Sequence, residues 1–267
     1  MSEGSGDITS RPLASKAWAE AHELIDLQLS PLGLKVIEQL DLADGSVVLD
    51  IGCGAGQTLL QLAERVGLEG QVIGVDIAPQ LLEIARRRSC SLSTVSLVQA
   101  DAESLELPTA SVDVIFSRFG VMAFSDPAAA FKNFHRILRP KGRLAFCCWR
   151  ALEDNPLDYM PLSAAGMQSM VNPEPFSFAD PDRVRSTLHA AGFRQVSISE
   201  HEEAVSSGDL DAMTDVLLKV GPLGRVIREN PALRKTAEPK VRQMLKGLGD
   251  VSRVSLNAAV WIVTALA

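Results

Sequence analysis

The 267-residue chain is poor in cysteine and in aromatic residues, and it contains no long apolar run. Its four cysteines form no Cys-x-x-Cys pair, which argues against a zinc site and against a disulfide framework. No apolar stretch reaches the roughly 18 residues of a membrane span, and no basic segment followed by an apolar run opens the chain. We therefore expect no metal site, no membrane span, no secretory signal and a cytoplasmic location.

Positive charge is also scarce, since 26 Lys and Arg residues stand against 33 Asp and Glu residues, for a net charge of −7. Nucleic-acid binding needs clustered Lys and Arg, so a nucleic-acid partner is disfavoured. Apolar residues make up 46% of the chain, which is typical of a globular protein with a substantial core. A small-molecule substrate is the expected partner, and a homodimer is left open.

Short apolar segments at regular intervals predict a parallel β-sheet. They are Val47–Ile51, Val72–Asp76, Ser96–Gln99, Val112–Phe116 and Arg143–Trp149. Helical spacing separates most of them, which is the pattern of βαβ units and of an α/β fold. Ahead of them, residues 12–43 show helical spacing, and Pro31 and Gly33 predict a break between two short helices.

The rest of the chain is predicted to complete this sheet and to cover it. Val196–Ser199 and Val254–Val263 have strand character, whereas residues 208–250 have helical spacing. We divide the chain into a disordered tail (1–10), an N-terminal helical cap (11–44), a Rossmann-like core (45–150), cap insertions over the active site (151–180 and 205–250) and the remaining sheet domain (181–204 and 251–267).

A glycine-rich turn, Asp50-Ile51-Gly52-Cys53-Gly54-Ala55-Gly56, follows the first predicted strand. Glycine lets the backbone turn sharply and lets a ligand approach it closely. The turn lacks the Lys-Ser/Thr of a P-loop, and Gln57 stands near the place of the third glycine of a dinucleotide loop. The Asp50 carboxylate would repel a pyrophosphate but would suit a cationic ligand. A purely structural turn remains the alternative.

Two further acids follow the next two strands. Asp76 ends the second strand, twenty residues after Gly56, where a carboxylate can accept hydrogen bonds from both ribose hydroxyls. Asp101 follows the third strand, where it can accept from an adenine amine while the Ala102 N–H reaches a ring nitrogen. Each acid could instead cap a helix. Together with the glycine turn, they predict an adenosine that carries a positive, amino-acid-like tail and no phosphates.

With these motifs the sequence resembles the class I S-adenosylmethionine-dependent methyltransferases, in particular the small-molecule group related to ubiquinone and menaquinone biosynthesis enzymes. The matching segments are Val48–Gly56, Val75–Ile77, Gln99–Ala102, Val112–Ser117 and His135–Leu144. The resemblance implies a Rossmann-like, seven-stranded sheet of order 3-2-1-4-5-7-6, with helices on both faces and a helical cap. The seventh strand would be antiparallel and would correspond to Val254–Val263.

The resemblance also implies a set of cofactor-binding residues. It assigns Gly52, Gly54 and Ser117 to the methionine part, Asp76 to the ribose and Ile77, Asp101 and Ala102 to the adenine, and the acid ahead of the glycines, Asp50, completes the set. The expected reaction is methyl transfer from S-adenosylmethionine to oxygen, carbon or nitrogen of a small, apolar-bodied metabolite, by in-line displacement that leaves S-adenosylhomocysteine. A non-catalytic S-adenosylmethionine-binding protein and a nicotinamide-dependent oxidoreductase are the alternatives.

The sequence does not identify the acceptor or a general base. His22, Arg118 and His201 are the candidates for a catalytic role, although each would serve equally as an ordinary surface or hydrogen-bonding residue. Arg118 departs from most of the family at the end of the fourth strand, where it could bind the cofactor carboxylate or an acidic substrate. Six apolar residues could line a pocket for the acceptor, or could simply pack in the core: Trp149, Met160, Met167, Met170, Phe176 and Phe178.

Overall fold

The structure, a computed structural model, describes residues 10–267, with side chains from residue 13 onward. Apart from Ser10, which begins the first helix, the predicted tail of residues 1–10 lies outside the described residues. The chain forms two compact units. The sheet unit comprises residues 29–155, 173–203 and 258–267, and the helical unit comprises the described residues 10–28, 156–172 and 204–257.

The strands of the described chain join in a single sheet. They are β1 (Val47–Ile51), β2 (Gln71–Asp76), β3 (Val95–Gln99), β4 (Val112–Arg118), β5 (Leu138–Trp149), β6 (Arg194–Gly208) and β7 (Val254–Leu266). Their order is β3-β2-β1-β4-β5-β7-β6. Neighbouring strands from β3 to β5 are parallel, and β7 runs antiparallel to β5. The predicted order and the antiparallel last strand are confirmed.

Ten α-helices precede, separate or follow these strands along the described chain. They are α1 (Ser10–Glu20), α2 (His22–Ile37), α3 (Gln57–Val66), α4 (Pro79–Arg88), α5 (Pro127–Ile137), α6 (Pro156–Ala165), α7 (Pro181–Ala190), α8 (Leu210–Lys219), α9 (Gly221–Glu229) and α10 (Arg234–Lys246). Among the described residues, none of these helices has both the length and the apolar character needed to cross a bilayer.

The centre of the sheet unit is β1, which pairs with β2 on one side and β4 on the other. Every residue of β1 after Val47 is buried, as expected for a parallel strand covered on both faces. Helix α3 buries Leu59, Leu62 and Val66 at helical spacing. Helix α5 begins at Pro127 because the Asp126 carboxylate accepts from the Ala129 N–H (3.0 Å).

The helical unit has its own buried face. Helix α10 buries Ala237, Val241 and Leu245 at a spacing of four residues, so one apolar stripe runs along it. Helix α8 buries Met213 and Leu217. The unit also encloses polar side chains, among them the carboxyl group of Asp158 on α6. Coverage of the cofactor edge by this unit stays a prediction.

Two details of the N-terminal and central segments differ from the sequence prediction. The helical break lies at Ala21, between α1 and α2, and Pro31 lies inside α2. A proline inside a helix removes one backbone donor and clashes with the carbonyl four residues earlier. Burial of Leu29, Leu32 and Val36 in the same segment offsets that cost. Strand β5 begins at Leu138 rather than at the predicted Arg143, and its register with β4 shifts between Val112 and Val114.

Candidate functional site

The predicted cofactor residues come from the carboxyl ends of four adjacent strands. Strands β3, β2, β1 and β4 are neighbours and parallel, so their carboxyl ends share one edge of the sheet. Asp50 is paired with Gly74 of β2 and with Phe116 of β4, and Asp76 is paired with Gln99 of β3. The topology therefore brings the residues after β1, β2, β3 and β4 together, at the place where open α/β sheets bind ligands.

The glycine turn adopts a backbone that favours glycine. Gly52, Gly54 and Gly56 have φ values of 71°, 55° and 86°. A Cβ on Gly52 would lie 2.8 Å from Gly120 Cα, so two backbones touch at that point. A Cβ on Gly54, in contrast, would meet nothing within 4 Å. The turn is thus packed against the protein at Gly52 and has open space at Gly54, where a ligand can approach.

Three successive N–H groups of the turn donate to other residues of the protein. Those of Gly52 and Cys53 donate to the Val75 carbonyl (2.8 and 3.0 Å), and that of Gly54 donates to Asp76 Oδ2 (2.9 Å). A phosphate-binding loop instead points such groups at its ligand. This turn therefore presents a carboxylate where a pyrophosphate site would present donors.

Asp76 joins the glycine turn to the start of α4. Its Oδ1 accepts from the Ala78 N–H (2.8 Å), just before the helix begins at Pro79. Burial raises the pKa of Asp76, while the hydrogen bonds from Ala78, Gly54 and Ile77 oppose that rise. A carboxylate has about four acceptor positions, so these three backbone bonds leave about one position for a ribose hydroxyl. The helix-cap and ribose interpretations of Asp76 are therefore compatible.

Asp50 is buried beneath the turn. The Thr58 hydroxyl on α3 donates to its Oδ2, whereas Oδ1 is buried without a hydrogen-bond partner among the described residues. Burial raises the pKa of Asp50 to about 7; the Thr58 hydrogen bond and the Arg118 charge lower it, and the Asp76 charge raises it. An unsatisfied buried acceptor at a ligand edge fits a cationic group or a donor brought by a ligand.

Arg118 extends from the end of β4 towards the N-terminus of α3. Its Nη1 donates to Gln57 Oε1 (2.5 Å), and its Cδ lies 3.0 Å from where a Cβ on Gly33 would be. The guanidinium also lowers the pKa of Asp50. Arg118 thus contacts the residue that follows the glycine turn and acts on its buried acid.

The remaining predicted cofactor residues differ in their exposure and in the hydrogen bonds that they already make. Ile77 is 51% exposed, which is unusual for a large apolar side chain and suits packing on a ring. Asp101 accepts from the Glu103 N–H (3.0 Å) and caps the 3₁₀ turn that begins at Ala102. The Ser117 hydroxyl is fully buried and donates to the Ile51 carbonyl (2.8 Å). Ser117 therefore holds β4 to the glycine turn.

The two candidate histidines are not brought to this edge by the sheet unit. His201 lies on β6, three positions from β4 in the sheet order, and its Nε2 is 3.3 Å from Glu203 Oε2. His22 begins α2 in the helical unit, and its Nδ1 lies 2.9 Å from the Ala19 carbonyl oxygen. Neither contact marks a general base.

The predicted apolar pocket residues also separate in the structure. Phe178 is fully buried and belongs to the core around Phe131. Met167 is buried in the helical unit, whereas Met170 is exposed. Trp149 differs from these residues, because it ends β5 at the functional edge and is only half-buried. Core packing accounts for Phe178 but not for Trp149.

Three residues at this edge were not identified as site residues from the sequence. Thr58 binds Asp50, Gly120 packs against Gly52, and Phe119 stacks on the Trp149 ring with centroids 4.1 Å apart. Phe119 has a φ of 66°, a left-handed conformation that a bulky residue rarely adopts. A Phe-Gly pair after a strand is the one local hint, since Gly120 allows the close approach to Gly52.

The comparisons with known proteins agree with this geometry. A family model described as "Methyltransferase domain" matches residues 49–146. Residues 49–146 are therefore similar to this family of methyltransferase domains. The matched residues of the methyltransferase domain run from β1 into β5 and include the whole glycine turn. The predicted resemblance is confirmed.

Similar proteins include an aklanonic acid methyltransferase, DauC, from Streptomyces sp. (strain C5), which is 37% identical over 119 residues, or 44% of this chain and 54% of that protein. A demethylmenaquinone methyltransferase from Staphylococcus epidermidis is 35% identical over 107 residues, or 40% of this chain and 44% of that protein. The chain thus spans about half the length of the curated relatives that it matches.

Solved structures share the fold of the methyltransferase domain and of most of the chain. An S-adenosylmethionine-dependent methyltransferase from Aquifex aeolicus aligns with a TM-score of 0.52 and 20% identity, covering 90% of this chain and 91% of the other. The [4+2]-cyclase SpnF aligns with a TM-score of 0.54 and 23% identity, covering 88% and 79%. The Rossmann-like fold is confirmed. Since one neighbour is named a cyclase, the fold alone does not decide the reaction.

Proposed function

We propose that the chain transfers the methyl group of S-adenosylmethionine to a small, apolar-bodied metabolite. The observation that carries this proposal is the glycine turn, in which the N–H groups of Gly52 and Cys53 donate to the Val75 carbonyl and that of Gly54 donates to the Asp76 carboxylate. Such a turn disfavours a pyrophosphate and leaves the ribose-binding capacity of Asp76 in place. The match of residues 49–146 to a methyltransferase domain supports the same conclusion.

The residues present fit S-adenosylmethionine. Gly54 has open space beside its backbone, and Ile77 offers an exposed apolar surface for a purine ring. Asp50 carries an unsatisfied acceptor below the turn, which suits the cationic end of the cofactor. When bound, the cofactor supplies a methyl group on a sulfonium. We propose that Asp76 holds the ribose, that Asp101 and Ala102 meet the adenine, and that Gly52 and Ser117 shape the methionine end.

The work of these residues is to bind and orient. Methyl transfer to an acceptor forms one bond at carbon as the bond to sulfur breaks, so alignment supplies much of the rate. No general base is assigned. Arg118 is engaged with Gln57, and His201 is on β6, so we propose positioning near the cofactor edge for Arg118 alone. His22 stays a candidate.

The acceptor is proposed to be a small molecule. The two relatives above are named for aklanonic acid and for demethylmenaquinone, which supports a metabolite rather than a macromolecule. The acceptor atom and the in-line geometry are parts of the same proposal. The cytoplasmic location, the absence of a nucleic-acid partner and the homodimer stay predictions.

Calorimetric titration of the full chain with S-adenosylmethionine and with NAD tests the proposal. We expect binding of the first and no binding of the second. Asp76→Ala should weaken S-adenosylmethionine binding by about 1–3 kcal/mol, because ribose hydroxyls lose their acceptor. Asp113→Ala is the matched control, since Asp113 binds Val47 and Arg139 at the start of β4. Unfolding curves for both variants separate lost binding from lost stability.

Uptake of NAD but not of S-adenosylmethionine would overturn the proposal and favour an oxidoreductase. Binding without turnover would favour the non-catalytic alternative. Turnover is measured as S-adenosylhomocysteine formed when the labelled cofactor is incubated with a metabolite extract, in comparison with the Asp76→Ala variant. Equal product formation by both proteins would remove Asp76 from the site.

A further inference from the structure

An aromatic pair stands at the ends of two neighbouring parallel strands. Phe119 follows directly after β4, and Trp149 is the last residue of β5. Their rings are stacked, with centroids 4.1 Å apart and planes inclined by 18°. The Phe119 N–H donates to the Cys147 carbonyl (3.1 Å), which holds the two strand ends together. The pair therefore lies on the same sheet edge as the glycine turn.

The pair also adjoins the cofactor residues in sequence and in space. Gly120, the residue after Phe119, packs against Gly52, and its N–H donates to Ser117 Oγ (3.0 Å). Both Gly52 and Ser117 belong to the part of the site proposed for the methionine end of the cofactor. The methyl group that would be transferred is carried at that end.

The pair is separate from the hydrophobic core. Six aromatic residues of the sheet unit are fully buried, namely Phe116, Phe131, Phe134, Phe146, Phe178 and Phe193. Phe119 and Trp149 are half-buried, and in the described chain neither belongs to the side-chain cluster packed around the sheet. Core packing therefore does not explain why two large rings stand at this edge.

The backbone of Phe119 adds an independent observation. Its φ of 66° lies in the left-handed region, which is unfavourable for a bulky L-residue. Glycine or asparagine would adopt that conformation more easily. Strained residues of this kind cluster at ligand-binding and catalytic sites, where the surrounding structure holds them in place. The side chain at position 119 is thus kept against a conformational cost.

We propose that the stacked Phe119–Trp149 pair binds a planar, conjugated ring of the methyl acceptor and selects it over a saturated body. This inference rests on the proposed function, since it assigns the acceptor side of that site. Aromatic faces prefer an offset-stacked or edge-to-face ring, an interaction that a saturated skeleton does not provide. The Trp149 N–H donates to Met122 Sδ (3.5 Å), which places a polarisable sulfur beside the end of β5.

Two probes with the same ten-carbon skeleton test the selection. They are 2-naphthol, which is planar, and decahydro-2-naphthol, which is saturated. Each is titrated by calorimetry into the full chain saturated with S-adenosylhomocysteine. We expect the wild type to bind 2-naphthol about three- to tenfold more tightly, which is the size of an aromatic pair interaction. Phe119→Leu should remove most of this preference, because leucine keeps the apolar character but not the ring.

Phe124→Leu is the matched control. Phe124 follows β4 closely in sequence, but its ring packs edge-on against Phe131 and Phe134 in the core cluster. The same substitution there should lower stability and leave the preference for 2-naphthol unchanged. Phe119→Gly is the second variant, since glycine adopts the left-handed backbone freely. Its unfolding midpoint should not fall below that of Phe119→Leu, while its preference should be lost.

Binding of S-adenosylhomocysteine is measured first for every variant. A protein that binds it and takes up both probes equally would overturn the role of the pair while leaving the proposed function intact. If Phe119→Leu and Phe119→Gly both kept the preference for 2-naphthol, the role of the pair would likewise be overturned and the proposed function would stand. Failure of the wild type to bind either S-adenosylmethionine or S-adenosylhomocysteine would overturn the proposed function and this inference together.

Discussion

The sheet unit and the helical unit each bury a carboxyl group, Asp50 on β1 and Asp158 on α6. Burial raises the pKa of both to about 7. The surroundings differ. Asp50 has the Thr58 hydroxyl, the Arg118 charge and the Asp76 charge around it, whereas burial is the one cause that acts on Asp158. Within the described residues, no donor is hydrogen-bonded to Asp158.

This comparison shows that a raised pKa alone does not mark a ligand site. The same shift arises at Asp158, where a Cβ built on the left-handed Gly221 would lie 3.1 Å from Oδ1. Asp50 differs because a turn, a hydroxyl and a guanidinium converge on it at the carboxyl edge of the sheet. Neighbouring groups, rather than the degree of burial, distinguish the two carboxyls.

The largest expected effect is the pH dependence of stability. Both acids have folded-state pKa values above their unfolded value of about 4, so the native state binds more protons between about pH 4 and pH 7. The free energy of unfolding should therefore fall as pH rises through that window, by up to about 1.4 kcal/mol per pH unit for each carboxyl. Denaturant titrations at several pH values measure this slope.

The double variant Asp50→Asn/Asp158→Asn is the control for that slope. In this variant the free energy of unfolding should change much less between about pH 4 and pH 7. The remaining change would come from the smaller contribution of Asp76, whose pKa is also raised. A slope that is unchanged in the double variant would mean that neither carboxyl titrates as described.

The next largest effect is expected for Asp158→Asn alone. At pH 8 the wild type buries an ionised, unpaired carboxylate in the helical unit, and the amide removes that charge. We expect the free energy of unfolding to rise by about 2–4 kcal/mol at pH 8 and by less at pH 5. Urea denaturation at the two pH values checks this, and a loss of stability at pH 8 would reveal a partner of Asp158.

Thr58→Val, in the sheet unit, should lower the free energy of unfolding, whereas Asp158→Asn should raise it. Valine keeps the shape of threonine but removes the donor to Asp50, so the buried carboxylate loses its hydrogen bond. We expect a loss of about 1–3 kcal/mol at pH 8 and a smaller loss at pH 5, where Asp50 is protonated. Thr214→Val is the matched control, because that buried hydroxyl donates to the Leu210 carbonyl (2.6 Å) of its own helix. Its cost should not depend on pH.

Arg118→Gln should have the smallest effect. Loss of the guanidinium removes a charge that lowers the pKa of Asp50, so that pKa should rise further. We expect about 1 kcal/mol less stability at pH 8 and little change at pH 5. Arg143→Gln serves for comparison, since Arg143 donates to the Leu40 carbonyl (3.0 Å) away from Asp50. If the stability of the two variants depended on pH in the same way, Arg118 would not act on the pKa of Asp50.

Much of the fold could be predicted from local pattern. The apolar run of β1 and the glycines after it are signals that depend on neighbours in sequence. The predictions were wrong where burial opposed a local rule. Pro31 was expected to end a helix, but apolar residues on both sides of it keep α2 continuous. Strand β6 runs from Arg194 to Gly208 although its exposed, charged sequence gave a signal for only Val196–Ser199.

By itself, the sequence determined which residues stand at the ends of β1, β2, β3 and β4, because turn chemistry and apolar runs are local. Only the tertiary structure decided what those residues do to one another. It directed the turn's N–H groups to Val75 and Asp76, placed Gly120 against Gly52 and stacked Phe119 on Trp149. These contacts join residues far apart in the chain, and their geometry depends on how parallel strands align, which no short segment encodes.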